Sequence, residues 1–181
     1  LSKPNQAYKF KLVANANSGC ASDSSEQIVN TLPNPTVNFA INNLLPICKF
    51  ASVDINNTSY FGTAGNVTGL SYNWLINGVL QTSTIANPSF VLSNNSNILD
   101  TAYAIKLILS TAAGCKDSLQ KTVVIKPAPK PIFSIVGGNV FCSQKNLTLD
   151  LQNTSVGKGS LIYSWSIKNV AAQSTLAKLS T

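Results

Sequence analysis

The heptapeptide DINNTSY at Asp54–Tyr60 returns in altered form as DLQNTSV at Asp150–Val156, 96 positions later. Self-similarity at a fixed period constrains architecture more than any local pattern, because it makes the chain a series of like modules. Tyr8, Lys11, Leu12, Gly19 and Cys20 meet Tyr103, Lys106, Leu107, Gly114 and Cys115 at a shift of 95, while Phe39 and Cys48 meet Phe133 and Cys142 at 94. Tyr72 and Trp74 meet Tyr163 and Trp165 at 91. The anchors keep their order and drift only in turn-like stretches. The sequence therefore reads as one complete repeat of about 94 residues at 34–127, preceded by the C-terminal part of another (1–33) and followed by the N-terminal part of a third (128–181). Closely spaced prolines mark both seams, in TLPNPTV and IKPAPKPIF, and favour stiff, extended connections.

Within the complete repeat the apolar period is two, the mark of half-buried strands. Tyr103, Ile105, Leu107 and Leu109 alternate with Ala104, Lys106 and Ser110, and Val53 and Ile55 alternate with Ser52 and Asp54. Strands are predicted near 35–41, 51–57, 70–76, 79–85, 88–93, 102–111 and 118–126, with turn residues between them. Seven short strands in a repeat of this length predict an all-β, immunoglobulin-like two-sheet sandwich with almost no helix. Trp74, on the third strand, is expected to fill the space between the sheets against Ile55 and Leu107, where burial contributes roughly 3 kcal/mol or more. Trp165 takes the same role in the following repeat. The competing reading of these tryptophans is an exposed platform for sugar rings. The partial repeats lack strands and are expected to leave sheet edges open.

Chemistry is narrowed by what is missing. Only 10% of residues are charged while 44% are apolar, so polarity comes from Asn, Ser and Thr, as in many extracellular β-proteins. The net charge of +7 arises from scattered lysines with no arginine, which removes the planar fork used to recognise guanine or phosphate, and nucleic acid is not an expected partner. No run of eighteen apolar residues occurs, so no membrane insertion is expected. Without histidine there is no ordinary proton shuttle, nucleophile–base pair or imidazole ligand. The six acids, Asp23, Glu26, Asp54, Asp100, Asp117 and Asp150, fall in part at equivalent places of the repeats, which argues for scaffold over a catalytic pair. Neither an enzyme nor a cofactor or metal site is expected. The one candidate ligand contact is Tyr60 with Phe61, in the loop NTSYFGTAG.

Cys20, Cys48, Cys115 and Cys142 are spaced by 28, 67 and 27 positions, which gives no Cys-x-x-Cys pair and makes structural disulfides the expectation in an exported protein. Two arrangements remain open. Cys48 joins Cys115 inside the repeat, or the cysteine before the second strand of one repeat joins the cysteine after the sixth strand of the next. Immunoglobulin topology puts Cys48 and Cys115 at opposite ends of the sandwich and so favours the second.

The order NNTS, YNWLING, NPSFVL and YAIKLILSTAAGCKDSLQKTVVIKP resembles the polycystic-kidney-disease (PKD) domain, in the variant repeated along very large surface adhesins of Bacteroidetes, including gliding-motility adhesins. Standard members carry W-D-F-G-D-G after the third strand. Here WLINGV and WSIKNV stand there, and both acidic positions are lost. The resemblance implies a noncatalytic, extracellular cell-surface module exported by the type IX system, serving as stiff spacer with an adhesive surface. Its partners would be neighbouring repeats of the same chain, surface polysaccharide, or an export or surface complex. The alternative is a carbohydrate-binding accessory module of a secreted multidomain enzyme. The tripeptides at Asp100-Thr101-Ala102 and Asp117-Ser118-Leu119 resemble the Bacteroidetes O-glycosylation acceptor, which makes Thr101 and Ser118 candidate modification sites. Asn57, Asn66 and Asn153 fit the N-linked pattern, but for a bacterial protein turn chemistry by Asn and Thr side chains is the expectation.

Overall fold

Alternation of apolar residues becomes strand in the long elements of the computed structural model, which describes residues 4–19, 21–42, 47–140, 142 and 149–166. No helix occurs among them; the fold is all-β. The strands are β1 (Ala7–Ala14), β2 (Asp23–Asn30), β3 (Pro35–Thr36), β4 (Phe39–Ile41), β5 (Ile47–Cys48), β6 (Phe50–Asn57), β7 (Tyr60–Phe61), β8 (Leu70–Ile76), β9 (Val79–Leu80), β10 (Ser89–Ser93), β11 (Thr101–Thr111), β12 (Lys116–Lys126), β13 (Phe133–Ile135) and β14 (Leu151–Asn153). Two sheets dominate, one in the order β10-β6-β4 and one in the order β5-β12-β11-β8-β9. The pairs β1-β2, β3-β7 and β13-β14 form separate two-stranded sheets.

The chain groups into two compact units: Leu1–Asn42, Asp54–Ser89 and Ala104–Thr122 in one, Asn43–Val53, Phe90–Tyr103 and Val123–Thr181 in the other. In the first, antiparallel pairing sets Leu107 opposite Trp74 and Leu109 opposite Tyr72. Trp74, Ile105, Leu107 and Leu109 are fully buried, and Phe39 and Ile55 nearly so. Phe39 meets Trp74 edge to face, ring centroids 5.3 Å apart and planes at 81°, so strands of the two main sheets face each other here. Such a pair contributes about 0.5–1.5 kcal/mol beyond its buried area. Trp74 Nε1 donates to the Ile85 carbonyl at 3.0 Å, which satisfies the one polar atom of a buried indole. The β8–β9 hairpin closes through Asn77 and Gly78, at φ 49° and 83°, the signs that a two-residue type I′ turn requires.

In the second unit, Val53, Phe90, Leu92, Val123 and Ile125 are buried on alternate positions of their strands. Tyr103 donates its hydroxyl proton to the Ser93 carbonyl at 2.6 Å, tying β11 to β10. Asn94 is 1% exposed and fully used. Its Nδ2 donates to the Leu99 and Ile125 carbonyls at 2.8 and 2.9 Å, and its Oδ1 accepts from Ser96 N–H at 2.8 Å.

Candidate functional site

The Asn-Thr-Ser tripeptide, conspicuous in the sequence, builds the same corner twice. At the first, Asn57 Oδ1 accepts from Ser59 N–H at 3.1 Å, Ser59 Oγ accepts from Asn38 N–H at 2.9 Å, and Thr58 N–H donates to the Asn38 carbonyl at 2.9 Å. At the second, Asn153 Oδ1 accepts from Ser155 N–H at 2.9 Å, Ser155 Oγ accepts from Ile132 N–H at 2.9 Å, and Thr154 N–H donates to the Ile132 carbonyl at 2.9 Å. The adjoining strands keep one register. Phe39 faces Asn57 and Ile41 faces Ile55, while Phe133 faces Asn153 and Ile135 faces Leu151. One residue further, Asn42 N–H donates to Asp54 O and Val136 N–H to Asp150 O. The turn chemistry runs through Asn and Ser side chains with a Thr backbone amide, where the sequence pointed to Asn and Thr side chains.

Aromatic geometry repeats as well. Phe133 meets Trp165 at 5.2 Å and 79°, close to the values for Phe39 and Trp74. Trp165 is half-buried and Phe133 is 57% exposed. A cavity of about 400 Å³ lies beside them, lined by Pro131, Phe133, Asn153, Tyr163 and Trp165.

Charged side chains converge at one point of the second unit. Asp100 Oδ2 accepts from Lys126 Nζ at 2.8 Å and pairs with Lys158 Nζ at 2.7 Å. Hydrogen bonds from Lys126 and then Lys158 hold the Asp100 carboxyl below its ordinary range, against a smaller opposing effect of desolvation. Beside this clasp, Asn97 Nδ2 donates to the Ala128 carbonyl at 2.9 Å, and Lys130 and Val156 exchange backbone hydrogen bonds at 2.8 and 3.0 Å. The proline-bearing stretch 127–131 is thus tied on both sides. A cavity of about 360 Å³ lined by Lys49, Asn94, Asn97, Pro129 and Lys130 adjoins it.

The remaining candidates are dispersed. Tyr60 and Phe61 are half-buried and form β7, paired with Thr36 and Pro35, where the sequence suggested a loop. Neighbouring strand residues point to opposite faces, so the two rings make no single row. Thr101 opens β11 and is half-buried; Ser118 lies exposed on β12. Cys20 lies outside the described residues. Cys115 and Cys142 carry free thiols, and Cys48 is exposed on β5. Cys48 pairs with Lys126 at the last residue of β12, and Cys115 precedes its first. At about 3.3 Å per residue such an eleven-residue strand far exceeds the roughly 7 Å reach of a disulfide.

No family model matches the chain, and no curated protein matches it. Among the described residues no three His, Cys, Asp or Glu are grouped to hold a metal ion, and no helix is long and apolar enough to cross a membrane. What the arrangement offers chemically is cohesion: buried rings, satisfied corners and an ion-pair clasp.

Proposed function

We propose that this chain is a noncatalytic structural segment of a long secreted cell-surface adhesin, built of tandem immunoglobulin-like, PKD-like sandwich modules of about 94 residues and acting as a stiff spacer. The carrying observation is the corner built twice: the same tripeptide, the same register and the same backbone partners recur at Asn57–Ser59 and Asn153–Ser155. The recurring Phe–Trp pair supports the same reading. Stiffness is supported by the seam at 127–131, where proline restricts the backbone and Asp100, Asn97 and Lys130 tie the two flanking segments together. Neighbouring modules of the same chain are then its first partners, and the cell surface its location.

Small-angle scattering of the dilute chain tests the spacer, with an extended particle expected for wild type and a more flexible one for Asp100→Ala. Screening against oligosaccharides tests the adhesive surface and the accessory-module alternative together. Saturable sugar binding lost on Tyr60→Ala or Phe61→Ala would replace the spacer reading with a carbohydrate-binding module, and turnover of any glycoside would exclude a noncatalytic role.

A further inference from the structure

The described lysines of the second unit, Lys49, Lys126, Lys130 and Lys158, are not used alike. Lys126 and Lys158 share Asp100. Lys49 and Lys130 make no ion pair among the described residues, although all six acidic side chains of the protein are among them. Both line the cavity of about 360 Å³, together with Asn94, Asn95, Ser96 and Asn97. Every one of these lining residues belongs to the second unit. A concave site whose only charges are of one sign draws an anion in and raises its local concentration.

Hydrogen bonds fix the walls of this cavity in advance. Lys49 N–H donates to the Lys126 carbonyl at 3.1 Å, and the Lys49 carbonyl accepts from Asn94 N–H at 2.6 Å. The buried Asn94 side chain holds the Leu99 and Ile125 carbonyls, and Asn97 Nδ2 holds the Ala128 carbonyl. Three segments are thus tied to one another before any ligand arrives, which keeps the ordering cost of binding small. The polar groups left to a ligand are neutral. Asn95 presents an exposed amide, and Ser96 Oγ accepts from the Ile98 and Leu99 amides at 3.1 and 2.8 Å while keeping its own proton to donate. Pro129 and Pro131 complete the lining with exposed ring faces.

We propose that this cavity binds a carboxylate-bearing sugar of an acidic polysaccharide, with the carboxylate held by the Lys49 and Lys130 ammonium groups and the ring hydroxyls by Asn95, Ser96 and Asn97. Charge-assisted hydrogen bonds from two ammonium groups supply the strong contacts. Amides and a hydroxyl match a ring that carries several neutral hydroxyls beside one charge, and the proline faces suit its C–H surface. The volume falls at the lower end of ligand sites, about 300–1,000 Å³, as a short stretch of glycan requires. A nucleic-acid strand fits less well, because neither arginine nor an aromatic ring lines the cavity to stack on a base. The site goes beyond the spacer reading, which stands whether or not the cavity holds a ligand.

Calorimetric titration of the full chain with an oligogalacturonate near neutral pH reads this directly, beside a neutral oligogalactoside and an oligoglutamate of equal charge. Wild type is expected to bind the oligogalacturonate saturably, more weakly as salt is added, and to bind the other two far less. Lys49→Gly and Lys130→Ala are each expected to weaken binding about tenfold, the loss of one charge-assisted hydrogen bond. Both variants should fold. Lys49 sits at φ 55°, where glycine is at ease, and Lys130→Ala keeps the backbone bonds to Val156. Tyr60→Ala, in the first unit, is expected to bind as wild type does. No saturable binding, or binding undiminished in both lysine variants, overturns the site and leaves the spacer reading to its own scattering test. Equal affinity for the oligoglutamate overturns the sugar in favour of an acidic peptide, and equal affinity for the neutral oligogalactoside overturns the role of the two ammonium groups.

Discussion

Ser59 Oγ accepts a hydrogen bond from the Asn38 amide at 2.9 Å and lies 3.0 Å from the Asn38 carbonyl and 2.6 Å from Asn57 Oδ1, within reach to donate its one proton to either. This buried hydroxyl holds the backbone of Asn38, which lies in the step between β3 and β4. Ser155 holds Ile132 in the same way, with its Oγ donating to the Ile132 carbonyl at 3.3 Å, at a more exposed site.

Ser59→Ala removes the acceptor of Asn38 N–H at a buried position and is expected to cost about 1–3 kcal/mol, the range for a backbone donor left unsatisfied. Ser155→Ala is expected to cost less, since water reaches that corner. Urea unfolding of the two variants checks the order; equal losses would refute the ordering by burial, and no loss for Ser59→Ala would mean that the corner does not carry the fold.

The two tryptophans are predicted to differ. Trp74 is fully buried, with its Nε1 donating to Ile85 O, whereas Trp165 is half-buried. Trp74→Ala is expected to cost about 3–5 kcal/mol, as for other large-to-small core changes. In Trp165→Phe the remaining indole should resist acrylamide quenching, and in Trp74→Phe it should be quenched readily at low protein concentration. Similar quenching constants would refute the difference.

How much of this was legible beforehand depends on how many residues carried each signal. Long alternation made β6, β8, β11 and β12 readable, because several apolar residues on one face must be buried together. Two-residue pairings leave no period, and the predicted strand 35–41 is two short strands. Pro35–Thr36 pairs with Tyr60–Phe61 and Phe39–Ile41 with β6, and between them Val37 N–H donates to Asp117 Oδ2 at 3.0 Å. The predicted strand 79–85 ends at Leu80, since beyond it the chain brings Ile85 O to the Trp74 indole. The corner had a signal, the tripeptide repeated at a near-constant offset. Asn94 had none, because one asparagine in SNNSN looks like any other until the Leu99 and Ile125 carbonyls are beside it.

Asn94 is accordingly a strong test of polar satisfaction in the core. Asn94→Leu conserves bulk but leaves the Leu99 and Ile125 carbonyls and the Ser96 amide without their partner. The expected loss is about 2–5 kcal/mol, more than one hydrogen bond, because groups stranded away from water keep their desolvation cost. A thermal midpoint within about a degree of wild type would contradict this, since even 1 kcal/mol moves the midpoint by about 2–8 °C.

The Asp100 clasp predicts a pH and salt dependence of defined sign. Lys126 and Lys158 lower the Asp100 pKa from its ordinary 3.8, so the folded chain binds this proton less readily than the unfolded one. The stabilisation is therefore complete above the unfolded value and is lost as pH falls below 3.8 through the folded value. Asp100→Asn should be less stable than wild type near neutrality, and the two should converge as the medium is acidified through that window. Added salt should narrow the neutral-pH gap as well, because the ion pairs are partly exposed and screened. Thermal midpoints of both proteins across pH and ionic strength decide it. A gap that persists unchanged below about pH 3 at low salt would assign the effect of Asp100 to shape or packing instead of charge.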